Sequence, residues 1–148
     1  MPLTLERLIY TSRAVPSAQS LLGIAEILGQ ARTLNELNGL TGALAIHDGL
    51  FLQVVEGPRF ALDSLLKRLL QDARHEALEV MDRHRAEQRA FAQWRMVGPL
   101  MGSRAAPLVE GARSGALGAE GVTARLAELA SSATFRSNPG VRYCGRET

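Results

Sequence analysis

Apolar positions along this chain recur at two spacings, and the pattern switches between strand-like and helix-like several times. Leu5 to Ser12 (LERLIYTS) is rich in β-formers and reads as a first strand. Pro16 and Ser17 break it, and Ser17 or Ser20 is placed to cap a helix. Leu21, Ile24, Leu28 and Ala31 then share one face at helical spacing, and Asn38-Gly39 marks a stop. Two strand-like runs follow, GLTGALAI and LFLQVVEG, separated by His47-Asp48-Gly49, a compact hairpin signal. Gly57-Pro58 opens a second helix with the proline in its first turn. Leu62, Leu65, Leu66, Leu69 and Leu70 repeat there at i, i+3, i+4, i+7 and i+8. Beyond Asp72-Ala73-Arg74-His75 the pattern predicts a strand over Leu78 to Arg83 and a last strand over Trp94 to Leu100.

The order βαββαββ predicts an α+β fold: a ferredoxin-like mixed sheet with two helices on one face. Past residue 102 the chain turns rich in Gly and Ala. Short helices are expected near Pro107 to Arg113 and around Val122, Leu126 and Leu129, each too short to stand alone. The division expected is a main domain over 1–102, a helical extension over 103–133 packing on the sheet or a partner, and a loosely ordered tail over 134–148. The fold by itself hosts many functions and names none.

Composition narrows the classes. With 46% hydrophobic and 22% charged residues in 148, the chain can bury a real core as one domain. No apolar run approaches the roughly 20 residues that span a bilayer, and the N-terminus lacks the basic and apolar regions of a secretory signal. The single cysteine, Cys144, excludes an internal disulfide and suits a reducing cytoplasm. The net charge is only +2, with arginines scattered and no basic stripe, so neither nucleic acid nor membrane is expected as a partner.

The informative residues are polar ones inside apolar elements. In FLQVVEG, Phe51, Gln53 and Val55 share one face of a strand. Burying an amide there without partners costs roughly 2–7 kcal/mol, so Gln53 either meets water or has partners worth that cost. Tyr10 ends the apolar run of the first strand, Asn35 ends the first helix, and Trp94 and Met96 share a face of the last strand. The first and third strands of such a sheet are central neighbours, so Tyr10 and Gln53 can meet on the helix-facing side. No Ser or Cys has an evident His partner, no carboxylate pair stands out, and His47, His75 and His84 lack metal-ligand spacing. An enzyme is not indicated.

Taken together, LIYTSRA, ARTLN before GLTGALAIHDGLFLQVVEG, LLQDARH and FAQWRM resemble the BLUF family, blue-light sensors that use FAD. The resemblance runs from about Leu5 to Leu100. It implies FAD held between the two helices, Tyr10 as the photochemical tyrosine, and Gln53 between that phenol and the N5/O4 edge of the flavin. It implies further that Asn35 bonds the carbonyl and N3 region, and that Arg68 and Asp72 lie near the pyrimidine side. Arg74 and His75 fall on the ribityl or phosphate side, and Trp94 and Met96 form the pair that exchanges near the glutamine.

These residue types suit that chemistry. A phenol can give an electron to an excited flavin, and an amide offers both an acceptor and a donor to relay its proton. A rearranged glutamine side chain that adds a hydrogen bond to flavin O4 shifts absorption to the red. The sequence departs from the family at Ile46, where relatives carry an aromatic residue, and at Leu34, where they carry a polar one. The Tyr10 to Gln53 spacing is also about one residue longer.

The residues after 102 are too few for a cyclase or phosphodiesterase. The resemblance therefore implies a short stand-alone, cytoplasmic photoreceptor that signals by contact, through a homo-oligomer or an unidentified downstream protein. Two other classes share the fold. An RRM-like binder needs exposed sheet aromatics and a basic face, and an acylphosphatase-like enzyme needs an anion loop with an Arg–Asn pair. Neither signature is present. The closer alternative is a flavin-free, degenerate scaffold, which colour alone distinguishes.

Overall fold

The structure, a computed structural model, describes residues 4–92 and 102–135. Strands β1 (Leu5–Ala14), β2 (Thr41–His47), β3 (Leu50–Pro58) and β4 (His75–Arg85) form one sheet in the order β2-β3-β1-β4. Helix α1 (Leu21–Leu37) links β1 to β2, and α2 (Arg59–Gln71) links β3 to β4. Every adjacent pair is antiparallel. β1 and β2 run parallel with β3 inserted between them, and β3 and β4 run parallel with β1 between them. The sheet is thus ferredoxin-like, and among the described strands no two parallel ones are neighbours. The strand expected over residues 94–100 lies outside the described residues.

Local signals explain the element ends. Ser20 caps α1, its Oγ accepting the Gly23 N–H at 3.0 Å. Gly39, at φ +71°, ends it, and the Leu40 N–H returns to the Asn35 carbonyl at 2.9 Å. Asp48 (φ +54°) and Gly49 (φ +76°) both take the left-handed region that a tight hairpin between β2 and β3 demands. Pro58 stands one position earlier than expected: β3 runs through it, and it is the N-cap residue of α2 rather than part of the first turn.

Alternation along the strands splits the core in two. On one face α1 packs Ile24 and Ile27 against Ala14, Leu44, Ile46 and Phe51. On that face α2 also packs Ala61, Leu62 and Leu65 against Leu8, Tyr10, Leu40 and Val55. Gln53 lies between these two clusters, with Phe51 in one and Val55 in the other. Leu70, at the end of the expected leucine stripe, is 73% exposed, because the buried arc closes with Leu62 and Leu65.

The opposite face carries Ile9, Ala43, Ala45, Leu52 and Val54, covered by α3 (Ala105–Ser114) and α4 (Ala119–Phe135) through Leu108, Val109, Val122 and Leu126. Both helices outrun their expected lengths, and α4 takes in Thr134 and Phe135. The rest of the expected tail, residues 136–148, lies outside the described residues.

Candidate functional site

Tyr10 on β1 and Gln53 on β3 are direct cross-strand partners. Both are buried, at 3% and 4% exposure, and the Tyr10 hydroxyl donates to Gln53 Oε1. Burial pushes the phenol above the usual tyrosine range, and the nearby Arg68 guanidinium pulls it back in part. Arg68 projects from the last turn of α2, and burial holds its guanidinium below the usual arginine range.

Two side chains have hydrogen-bonding capacity that finds no partner among the described residues. Asn35, 1% exposed at the end of α1, has no partner for Oδ1 or Nδ2, and Arg68 has none for Nε or Nη2. An unsatisfied buried polar group costs roughly 1–3 kcal/mol, more when charged. Four such atoms, one pair on α1 and one on α2, call for partners that satisfy them.

A second polar group lies where α2 ends and β4 begins. Asp72 Oδ1 accepts from the Arg74 backbone N–H at 3.0 Å and from Arg74 Nε at 2.9 Å, and Oδ2 accepts from Nη2 at 2.8 Å. These bonds hold the Asp72 carboxyl at about 2, below its ordinary 3.8. Arg74 Nη2 also donates to Gln30 Oε1 on α1 at 2.7 Å, so this corner ties the two helices together. His75 Nδ1 lies 3.2 Å from Ser12 Oγ, and its ring meets Phe51 edge-on at 5.1 Å. Burial lowers the His75 pKa and favours the neutral ring.

Tyr10, Gln53 and Arg68 thus form one group and Asp72, Arg74 and His75 a second where α2 meets β4, while Asn35 is buried near the end of α1. Trp94 and Met96 lie outside the described residues. The sequence reading missed Ser12, Phe51 and Gln30. Ser12 and Phe51 were legible, since each sits two positions from Tyr10 or Gln53 on the same strand face. Gln30 gave no signal, because a lone glutamine on a helix is usually solvated. Among the described residues no group of His, Cys, Asp and Glu could hold a metal ion. A groove of about 410 Å³ between α3 and α4 lies on the other face of the sheet and touches none of these residues.

The fold is thus a four-stranded ferredoxin-like sheet with a buried Tyr10–Gln53 pair under two helices. The family model of sensors of blue-light using FAD matches residues 5–97, and the chain belongs to this BLUF family. BlrB, a BLUF protein in its dark state, superimposes with a TM-score of 0.75 at 27% identity, over 87% of this chain and 99% of that one. BlsA in its photo-activated state gives 0.70 at 25% identity, over 84% and 94%. Photoactivated adenylate cyclase subunit beta of Euglena longa is 34% identical over 92 residues, 62% of this chain. The chain spans 11% of that subunit's length. The matched region is a blue-light sensor domain of this flavin-using family. No helix among the described residues is long and apolar enough to cross a membrane.

Proposed function

We propose that this chain is a blue-light receptor whose switch is the Tyr10–Gln53 pair and whose cofactor is FAD, held without a covalent bond. The observation that carries the reading is the Tyr10 hydroxyl already bonded to Gln53 Oε1 in a buried site. The unused atoms fit the cofactor. Asn35 offers one acceptor and two donors, and Arg68 offers donors alone. A pyrimidine-like edge with alternating carbonyls and N–H matches that set. When bound, the flavin supplies the absorption of blue light and, once excited, the oxidising power.

The residues supply the rest. Tyr10 gives an electron and passes its proton to Gln53 Oε1 along the existing hydrogen bond. Burial opposes the phenolate, so the proton does not leave the phenol ahead of the electron. When the electron returns, Tyr10 recovers its proton and Gln53 keeps a rearranged amide. Arg68 holds positive charge beside the pair throughout, Asp72 lies toward the pyrimidine side, and Arg74 and His75 position the ribityl or phosphate portion.

The signal leaves by contact, through a homo-oligomer or a downstream protein, by biasing an element with two stable arrangements. The test is the visible spectrum of the purified protein in darkness and after blue light, with the flavin released and identified. A flavin spectrum that shifts slightly to the red and relaxes in darkness supports the reading. A protein that does not bind FAD when reconstituted overturns it and leaves a scaffold.

A further inference from the structure

Glu56 is a fully buried carboxylate, 0% exposed, three positions beyond Gln53 on β3. Alternation turns its side chain to the sheet face opposite Gln53. Oε2 accepts from Arg7 Nε on β1 at 2.8 Å and from the Ala90 N–H at 2.7 Å, and Oε1 accepts from the Phe91 N–H at 2.9 Å. The carboxylate is thus fully engaged, by one neighbouring strand and by a segment far along the chain.

That segment is a strap. After β4 ends at Arg85, the Ala86 N–H bonds the Leu5 carbonyl at 3.0 Å, and Arg7 Nη2 bonds the Gln88 carbonyl at 3.1 Å. Arg89 Nη1 then reaches the Glu56 carbonyl at 3.1 Å and Thr41 Oγ1 at 2.7 Å, and its Nη2 reaches the Gly39 carbonyl at 3.1 Å. Residues 86–91 therefore cross from the β4 side of the sheet to β3 and β2. The strap ends in Phe91, 0% exposed, in the cluster that Ala43, Ala45 and Val54 share with Leu108, Val109, Val122 and Leu126 of α3 and α4.

We infer that Glu56 is a positioning residue that couples the glutamine strand to the α3/α4 layer by fixing residues 89–91 to β3 through Phe91. It touches no part of the photochemical pair. A displacement of β3 at Gln53 moves Glu56 with the strand, and the two charge-assisted bonds to the Ala90 and Phe91 N–H groups carry the movement to the strap, while the third ties the carboxylate to Arg7 on β1. The inference rests on the light-switch reading, because without a change at Gln53 there is no displacement to carry.

The experiment compares hydrogen exchange across residues 105–129 in dark and light for the flavin-loaded chain and for Glu56→Gln. The absorption shift is recorded on the same samples. Glutamine keeps the shape and loses the charge that holds three donors. The parent is expected to change exchange in α3 and α4 on illumination. Glu56→Gln is expected to keep the red shift and to lose more than half of that light–dark difference. A purely structural role predicts faster exchange in both states with the difference intact, and that result overturns the inference. Arg89→Met serves as a second variant, cutting the strap's three side-chain bonds while leaving the carboxylate, with the same loss expected. A parent that shifts red without any change in α3 or α4 overturns the coupling alone, whereas a parent with no red shift overturns the switch beneath it.

Discussion

Tyr10 and Gln53 face each other across the β1–β3 ladder, and the phenol donates to the amide oxygen in a site nearly closed to water. On the proposed reading, donor and relay are in place before any photon arrives. Tyr10→Phe keeps the ring and removes the hydroxyl. The expected outcome is a folded, flavin-loaded protein about 1 kcal/mol less stable. Its flavin fluorescence rises because the electron donor is gone, and its red shift is absent. Fluorescence yield and a light–dark spectrum check this.

Asn35 gives a prediction of opposite signs in the two states. Its amide is buried with both polar atoms unused, so Asn35→Leu relieves the flavin-free chain. We expect a gain of about 1–2 kcal/mol in unfolding free energy without flavin. Flavin affinity is expected to fall by about tenfold, equivalent to roughly 1.4 kcal/mol. Urea unfolding of the flavin-free protein and a flavin titration measure the two effects separately. A loss of stability without flavin contradicts the assignment.

Asp72 sets an acid limb of stability. Its folded carboxyl sits at about 2, against an ordinary 3.8, because Arg74 bonds the charged form. A depressed acid stabilises the fold above its unfolded pKa and loses that contribution as pH falls through the folded value. The parent is therefore expected to exceed Asp72→Asn in stability at neutral pH. The gap should narrow between pH 4 and pH 2, as read by thermal unfolding across pH.

Ala77 takes φ +54° within β4, inside the register shift between the Thr11–Glu79 and Arg13–Glu76 pairs. That left-handed conformation costs a residue with a Cβ roughly 1–2 kcal/mol. Glycine adopts it freely but loses more entropy on folding. Ala77→Gly is expected to raise stability by about 0.5–1 kcal/mol, measured as a shift in the urea midpoint.

Strong local chemistry made much of this legible in the sequence. Asp48-Gly49 fixed the hairpin, Ser20 and Gly39 marked the ends of α1, and the apolar periodicity of β1, β3 and α2 placed Tyr10 and Gln53 on one face. Elements with weak alternation were misjudged in extent. β4 is mostly exposed and charged at the sheet's described edge, so only its middle read as a strand although it spans His75–Arg85. α4 is built largely from Ala, Gly and Ser, whose small side chains give a faint periodicity. Contacts between distant segments left almost no trace. Glu56 was a lone charge in an apolar run, and its partners Arg7, Ala90 and Phe91 come from two remote stretches. Asn35 and Arg68 were identified through their resemblance to a family, since spacing alone cannot show that a side chain is buried with atoms unused.

The central claim is that Gln53 is the switch, and one measurement bears on it most directly. Gln53→Leu, of similar volume and without the amide, is loaded with FAD, and its absorption is recorded in darkness and after blue light beside the parent. The account predicts a bound flavin in both proteins and a reversible red shift in the parent alone. A shift of parental size in Gln53→Leu would contradict it and move the switch to another group around the flavin.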